Sequence, residues 1–148
     1  MKKMVRGYSF QGFDAKTMVR VVGRDLPISR KASYQVAKVI KGKELPKVFK
    51  LLEDVIALKR AIPYTRYARD VSHKPGMAAG RYPVKAAKYV LKLLKNLQGS
   101  ARSKGFDSQK LIIIHAAVHQ GSKKRRGGRK IGLIGKNSHF EIVATEKK

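Results

Sequence analysis

The chain of 148 residues contains no cysteine and no tryptophan, and only nine of its residues are acidic. Without cysteine it can form neither a disulfide nor a thiolate metal site, so hydrophobic burial alone must hold a core together. The longest apolar stretch, Leu111 to Val118, is interrupted by His115 and is far shorter than the ~20 residues that span a bilayer. Met1 to Gln11 has no apolar segment of the secretory type. These absences favour a cytoplasmic protein with no membrane partner.

Motifs for catalysis are missing as well. The chain has no Gly-x-Ser-x-Gly elbow and no Walker loop, and its acids, such as Glu53 and Asp54, are scattered rather than paired. Because acid–base and nucleophilic mechanisms need such groups close together, we expect no enzyme activity and no catalytic residue.

A metal site built from histidines can be drawn. His115 and His119 share one face of a predicted strand, and His139 lies nearby if that strand pairs with the next. No carboxylate is spaced to complete the site, so we expect no metal and no other cofactor. Contact with RNA, or a solvated face, is the preferred interpretation of His119 and His139.

What the chain does have is positive charge. Its 35 Lys and Arg residues against nine acids leave a net charge of +26. Self-repulsion of this size does not stabilise a compact fold, so the charge indicates a polyanionic partner, and nucleic acid is the usual one. With 43% apolar residues, the composition predicts a single domain over residues 1–148.

Helices are predicted from apolar residues spaced three and four apart. Ser29 is an N-cap for a helix from Arg30 to Ile40, Pro46 introduces a second helix, and Pro83 opens the clearest one. Asp14 also has the chemistry to cap a short helix that ends at Gly23. Lysines form a separate stripe on the Pro83 helix, at Lys85, Lys88, Lys92 and Lys95.

Strands are predicted where β-branched residues cluster, at Leu111 to Val118 and Phe140 to Thr145, and a strand-like segment opens the chain at Met4 to Phe10. A polar link containing Gly99, Ser100 and Gly105 is expected to follow the Pro83 helix. The segment between the two later strands is rich in glycine and basic residues, so it either extends from the domain as part of a hairpin or forms a surface loop.

The segment from Arg60 to Tyr82 has no periodicity, and we expect a loop that its partner orders. Basic residues alternate there with Tyr64, Tyr67 and Tyr82. These tyrosines either stack on unpaired bases or anchor the loop on the core, and the sequence does not choose between the two.

Several short motifs in one order make the chain resemble a known family, the large-subunit ribosomal protein number twenty-two, called number seventeen in eukaryotes, in its archaeal form. The matching segments are Tyr8-Ser9-Phe10, Gly23-Arg24-Asp25-Leu26, Lys41-Gly42-Lys43, Asp54 to Arg60, His73-Lys74-Pro75-Gly76, Gly80 to Lys85, Lys104-Gly105-Phe106-Asp107 and Ser138 to Val143.

The resemblance implies an α+β fold in which a small three-stranded antiparallel sheet packs on helices and a long basic β-hairpin protrudes. That hairpin would span about residues 110–146, with its basic tip at about 121–136. In the family the hairpin penetrates ribosomal RNA and helps line the nascent-chain exit tunnel, near large-subunit protein number four. At the tip, Gly128 to Lys136 departs from the Pro-Arg-Ala-x-Gly-Arg-Ala element that we expect there.

We therefore expect a structural constituent of the large ribosomal subunit that binds its rRNA, supports assembly and is not a homo-oligomer. Its partners would be rRNA, tunnel-exit proteins and the nascent chain. The alternative is a free-standing basic nucleic-acid-binding protein, such as a chromatin protein or an RNA chaperone. The candidate RNA-binding residues are Arg30, Lys31, Lys74, Arg81, Lys85, Lys88, Lys123, Lys124, Arg125, Arg126, Arg129, Lys130 and Lys136.

Overall fold

A computed structural model of the protein describes residues 8–125, 127–130 and 132–146. It confirms the α+β class and the three-stranded antiparallel sheet. The helices are α1 (Arg30–Ile40), α2 (Leu45–Ile56) and α3 (Val84–Ser103). The strands are β1 (Met18–Leu26), β2 (Ile62–Pro63), β3 (His73–Lys74), β4 (Ala78–Arg81), β5 (Leu111–Gln120), β6 (Lys124–Arg125), β7 (Ile134–Gly135) and β8 (Ser138–Glu146), with a 3-10 helix at Gly128–Lys130.

The main sheet has the order β1-β8-β5, and both pairings are antiparallel. Ile142 in the central strand lies opposite Val21 on one side and Ala116 on the other. The strand β8 is buried from Ser138 to Ala144 because it has a neighbour on both edges and helices on one face. It is therefore the centre of the fold.

The core lies between this sheet and the helices. Phe140 and Ile142 of β8 and Ile113 of β5 are fully buried together with apolar residues of all three helices. In α3 the predicted apolar face is confirmed at its centre, since Val90 and Leu94 are inaccessible to solvent. Burying these side chains is the main source of stability for a chain without disulfides.

The helix α3 is longer than the sequence indicates. The predicted polar link at Gly99 and Ser100 is wrong, because the helix runs through both residues to Ser103. Leu97 and Ala101 are fully buried on either side of them, and this packing offsets the ~1 kcal/mol that a glycine costs within a helix.

The predicted short helix from Asp14 to Gly23 is also wrong. Asp14 does cap a turn, since its carboxylate accepts hydrogen bonds from the Lys16 amide at 3.0 Å and the Thr17 hydroxyl at 3.1 Å. From Met18 onwards the chain is the edge strand β1, in which Val19 is buried and Arg20 is exposed. Alternating burial on the sheet outweighs the local capping signal.

The predicted opening strand, Met4 to Phe10, falls partly outside the described residues, and residues 8–10 form no strand. They lie instead on the sheet face away from the helices. The Ser9 amide and hydroxyl donate to the buried carboxylate of Glu141 at 3.0 and 2.6 Å, and the Phe10 ring packs on His115. Contacts with the side chains of Glu141 and His115, rather than backbone hydrogen bonds of a β-sheet, hold this segment against the main sheet.

The expectation of a loop without its own structure from Arg60 to Tyr82 is wrong too. Three short strands form a second sheet there, in the order β2-β4-β3. Two of these strands have two residues each, which is too short for a periodic pattern. The segment therefore contains regular structure of its own.

The strands β5 and β8 pair from Leu111 and Glu146 to Gln120 and Ser138. Between them, β6 and β7 pair over two residues each. The two predicted strands are thus antiparallel neighbours that bracket the basic segment.

The packing makes a direct prediction about stability. Replacing the buried Leu94 by alanine should lower the free energy of unfolding by about 2–5 kcal/mol, because the substitution leaves a cavity in the core. Leu58→Ala is the matched control, since Leu58 is 59% exposed and should change it by less than about 0.5 kcal/mol. Urea denaturation measures both, and equal effects would contradict this description of the core.

Candidate nucleic-acid interface

One concave basic surface is a cleft between the start of α1 and the base of the β5–β8 connection. Four basic side chains line it: Arg30, Lys31, Lys123 and Lys136. Its volume is about 300 Å³, and no acidic residue is among those that line it. All four were predicted from the sequence as RNA-binding residues, and the fold brings them together from two distant parts of the chain. We call this surface the basic cleft.

Polar contacts hold the two walls of the basic cleft together. The Ser138 hydroxyl donates to the carbonyl of Ile28 at 2.9 Å, which fixes the start of β8 against the residues before α1. The Asp25 amide donates to Nδ1 of His139 at 3.0 Å. The Asp25 carboxylate accepts from the Ser122 amide and hydroxyl at 3.2 and 3.1 Å. The wall that carries Lys123 is therefore tied directly to the end of β1.

Gly121 allows this close approach. A β-carbon at that position would lie 3.0 Å from the backbone carbonyl carbon of Asn137 and 3.0 Å from the carboxylate of Asp25. The Gly121 amide donates to the Asn137 carbonyl at 3.0 Å, so the two sides of the connection meet here. Only the small residue fits without displacing the backbone.

A second group of candidate residues lies on the exposed face of α3. Lys85 and Lys88 are exposed, as are Lys92 and Lys95 of the same stripe. No acidic residue occurs between Val84 and Ser103 to neutralise them. The structure confirms that the apolar and basic faces of this helix are separate.

The small sheet carries two further candidates. Lys74 in β3 is half-buried, with its ammonium 5.6 Å from the ring centre of Tyr82. Arg81 in β4 is exposed and close enough to Tyr64 to act on it electrostatically. Burial raises the pKa of Tyr64 above its ordinary value, and the charge of Arg81 opposes that rise in part. Tyr64 is buried and anchors this segment on the core.

The remaining candidates belong to the basic tip. Lys124 and Arg125 are exposed in β6, and Arg129 is exposed in the 3-10 helix, where the backbone of Lys130 also lies. Arg126 lies outside the described residues.

The histidines are arranged differently from the prediction. His119 and His139 lie opposite each other in the β5–β8 ladder, but His139 is buried and its Nδ1 accepts the Asp25 amide. The expectation of a solvated face is thus wrong for His139, and RNA contact by this residue stays a prediction. His119 is exposed, with Nε2 3.8 Å from the Glu141 carboxylate. Within residues 8–125, 127–130 and 132–146, no three metal-ligating side chains are placed to hold an ion.

Sequence reasoning missed a cluster next to the basic cleft. The Tyr34 ring packs edge-on against Tyr67, and the Arg66 guanidinium lies 5.5 Å from the centre of one ring and 5.0 Å from the other. One available signal is that Tyr34 follows Arg30 by four residues, which places both on the same face of a helix.

The fold and this surface define a class, that of small α+β proteins whose exposed positive charge suits a polyanion. A sequence profile described as "Ribosomal protein L22p/L17e" matches residues 21–143. A protein of Staphylothermus marinus named "Large ribosomal subunit protein uL22" is 41% identical over 94% of this chain and 96% of its own length. A protein of the same name from Archaeoglobus fulgidus is 43% identical over 77% of this chain and 76% of its own length. Another, from Nitrosopumilus maritimus, is 39% identical over 95% of this chain and 97% of its own length.

The chain therefore belongs to the ribosomal protein L22p/L17e family, which confirms the resemblance seen in its motifs. As a member of this family it is a structural protein of the cytoplasmic ribosome and not an enzyme. In the described part of the chain, no helix is both long and apolar enough to cross a membrane.

The tie between Asp25 and the cleft wall can be tested by hydrogen exchange. Asp25→Ala removes the acceptor of the Ser122 amide, so exchange of that amide should accelerate by about tenfold, the worth of one hydrogen bond. Asp25→Asn keeps an oxygen acceptor and tolerates the φ of 47° at this position, so it should retain most of the protection. Unchanged exchange in the alanine variant would show that Asp25 does not hold this wall.

Proposed function

We propose that this protein binds the rRNA of the large ribosomal subunit and that the basic cleft holds a segment of the RNA backbone. The observation that carries the proposal is the composition of the cleft, with four basic side chains and no acid. Phosphates are the groups that such a surface attracts, and a concave site brings several donors to one stretch of backbone.

The mechanism is charge neutralisation. RNA segments repel one another, and each phosphate that a Lys or Arg neutralises releases condensed counterions. The basic cleft and the lysine face of α3 lie on different elements, so the protein can contact two RNA segments at once. In this way it supports assembly of the subunit, with Lys74 and Arg81 of the small sheet adding contacts.

We also propose that the chain is a single rRNA-binding domain in which residues of about 110–146 form an extended hairpin. The antiparallel pairing of β5 with β8 supports it, as do the exposed cations Lys124, Arg125 and Arg129 between them. We propose that this segment enters the rRNA and that its tip, at about 121–136, reaches the exit tunnel. Its neighbours there would be large-subunit protein number four and the nascent chain. Family membership favours this role over that of a free-standing nucleic-acid-binding protein.

Salt dependence of RNA binding tests the role of the basic cleft. A variant with Arg30, Lys31, Lys123 and Lys136 all changed to glutamine should bind in vitro transcribed large-subunit rRNA more weakly. The slope of log affinity against log salt should fall in magnitude by roughly three, because up to four phosphate contacts are lost. Wild-type protein should also prefer this RNA to small-subunit rRNA.

The matched control removes the same charge elsewhere. It changes four exposed lysines to glutamine, namely Lys47, Lys50, Lys59 and Lys110. This control should retain most of the slope and of the preference. If both variants lose affinity equally, net charge rather than the cleft binds the RNA, and if wild type shows no preference, the proposed function fails.

A further inference from the structure

The turn before β3 has an unusual backbone. Tyr67 and Ala68 both have positive φ angles, 58° and 37°, a conformation that side chains with a β-carbon rarely adopt. Two such residues in succession cost free energy, so the surrounding structure must hold them in place. The turn presents Tyr67 at the surface, where the ring is half-buried.

A buried glutamine supplies that support. Gln35 of α1 is inaccessible to solvent, and its amide group donates to the Arg66 carbonyl, while its oxygen accepts from the Thr65 amide. Lys38 donates to the Thr65 hydroxyl at 2.9 Å, and Arg69 donates to the Thr65 carbonyl at 2.8 Å. Four polar contacts converge on Thr65 and Arg66, so contacts within the protein itself hold the turn.

The fixed turn assembles an aromatic and cationic surface. The Tyr67 and Tyr34 rings meet edge-on, with centres 5.8 Å apart and planes at 79°. The Arg66 guanidinium lies 5.0 Å from the Tyr67 ring centre, and Arg30 and Lys31 each place their charge 5.9 Å from it. We call these five residues the tyrosine cluster.

The tyrosine cluster is continuous with the basic cleft. Arg30 and Lys31 line the cleft and also face the Tyr67 ring. None of the ring and cation contacts described for these residues involves a carboxylate. A segment of RNA backbone bound in the cleft would therefore lie next to the aromatic rings of the tyrosine cluster at one end.

We propose that the tyrosine cluster binds one unpaired nucleotide of the RNA, with its base on the aromatic and guanidinium surfaces of Tyr67 and Arg66. Its phosphates bind to Arg30 and Lys31. The base must be unpaired, since a base within a helix has no free face to offer a side chain. Because stacking uses the face of the base and not its edge, the site selects unpaired over paired RNA and is tolerant of sequence. This inference rests on the proposed function.

Two synthetic RNA hairpins test the proposal. They share one stem, and one of them carries a single 2-aminopurine bulge. The wild-type protein should bind the bulged RNA about tenfold more tightly than the paired RNA, as expected for one base on an aromatic side chain. The bulged base should lose fluorescence on binding. Tyr67→Leu should abolish this preference and leave affinity for the paired stem unchanged, whereas Tyr67→Phe should keep both.

Tyr89→Leu is the matched control, because Tyr89 is also half-buried with a lysine 5.8 Å from its ring centre, but it lies on α3. This variant should keep the preference for the bulge. If wild type binds both hairpins equally, or if Tyr67→Leu still prefers the bulge, the tyrosine cluster is not a nucleotide site, although the basic cleft can still bind RNA. If wild type prefers the bulge but Tyr89→Leu loses it, the preference does not come from the cluster. Absence of salt-dependent binding to either hairpin would instead count against the proposed function as well.

Discussion

Burial of apolar side chains is the interaction on which the rest of this protein depends. A net charge of +26 opposes any compact state, and the chain has no cysteine to cross-link it. Burial around the central strand β8 offsets this repulsion. Helices cover Phe140 and Ile142 on one face of the sheet, and a strand pairs with β8 on each edge. Cations remain at the surface, where a polyanion can neutralise them. The fold and the proposed function thus follow from the same separation of apolar from basic residues.

Elements with a long periodic pattern could be predicted from the sequence. The helix α1 and the apolar face of α3 follow from residues three and four apart, which repeat over several turns. Short or conflicting signals gave wrong predictions. Asp14 has the chemistry of a helix cap, but it caps a turn before β1, because pairing with β8 buries Val19. The strands β2 and β3 are too short to show any pattern at all.

The candidate site shows the same limit. Each basic residue of the cleft could be predicted from the sequence as an RNA-binding candidate. Their position side by side in one cleft could not, because it depends on contacts between residues that are distant in the sequence. Ser138 with Ile28 and Asp25 with Ser122 join segments that no local pattern connects. The tyrosine cluster depends in the same way on Gln35, a buried polar residue on a helix face that otherwise indicates core. The family motifs indicate the function from the sequence alone, whereas these contacts can be identified only in the three-dimensional structure.

Whether the basic cleft binds rRNA can be seen in a cryo-electron microscopy map, at side-chain resolution, of the large ribosomal subunit that contains this protein. We expect an rRNA phosphate within hydrogen-bonding distance of Arg30 or Lys31 on one wall of the basic cleft and of Lys123 or Lys136 on the other. A basic cleft that faces solvent or another protein, with the RNA contacts made elsewhere, would contradict this expectation.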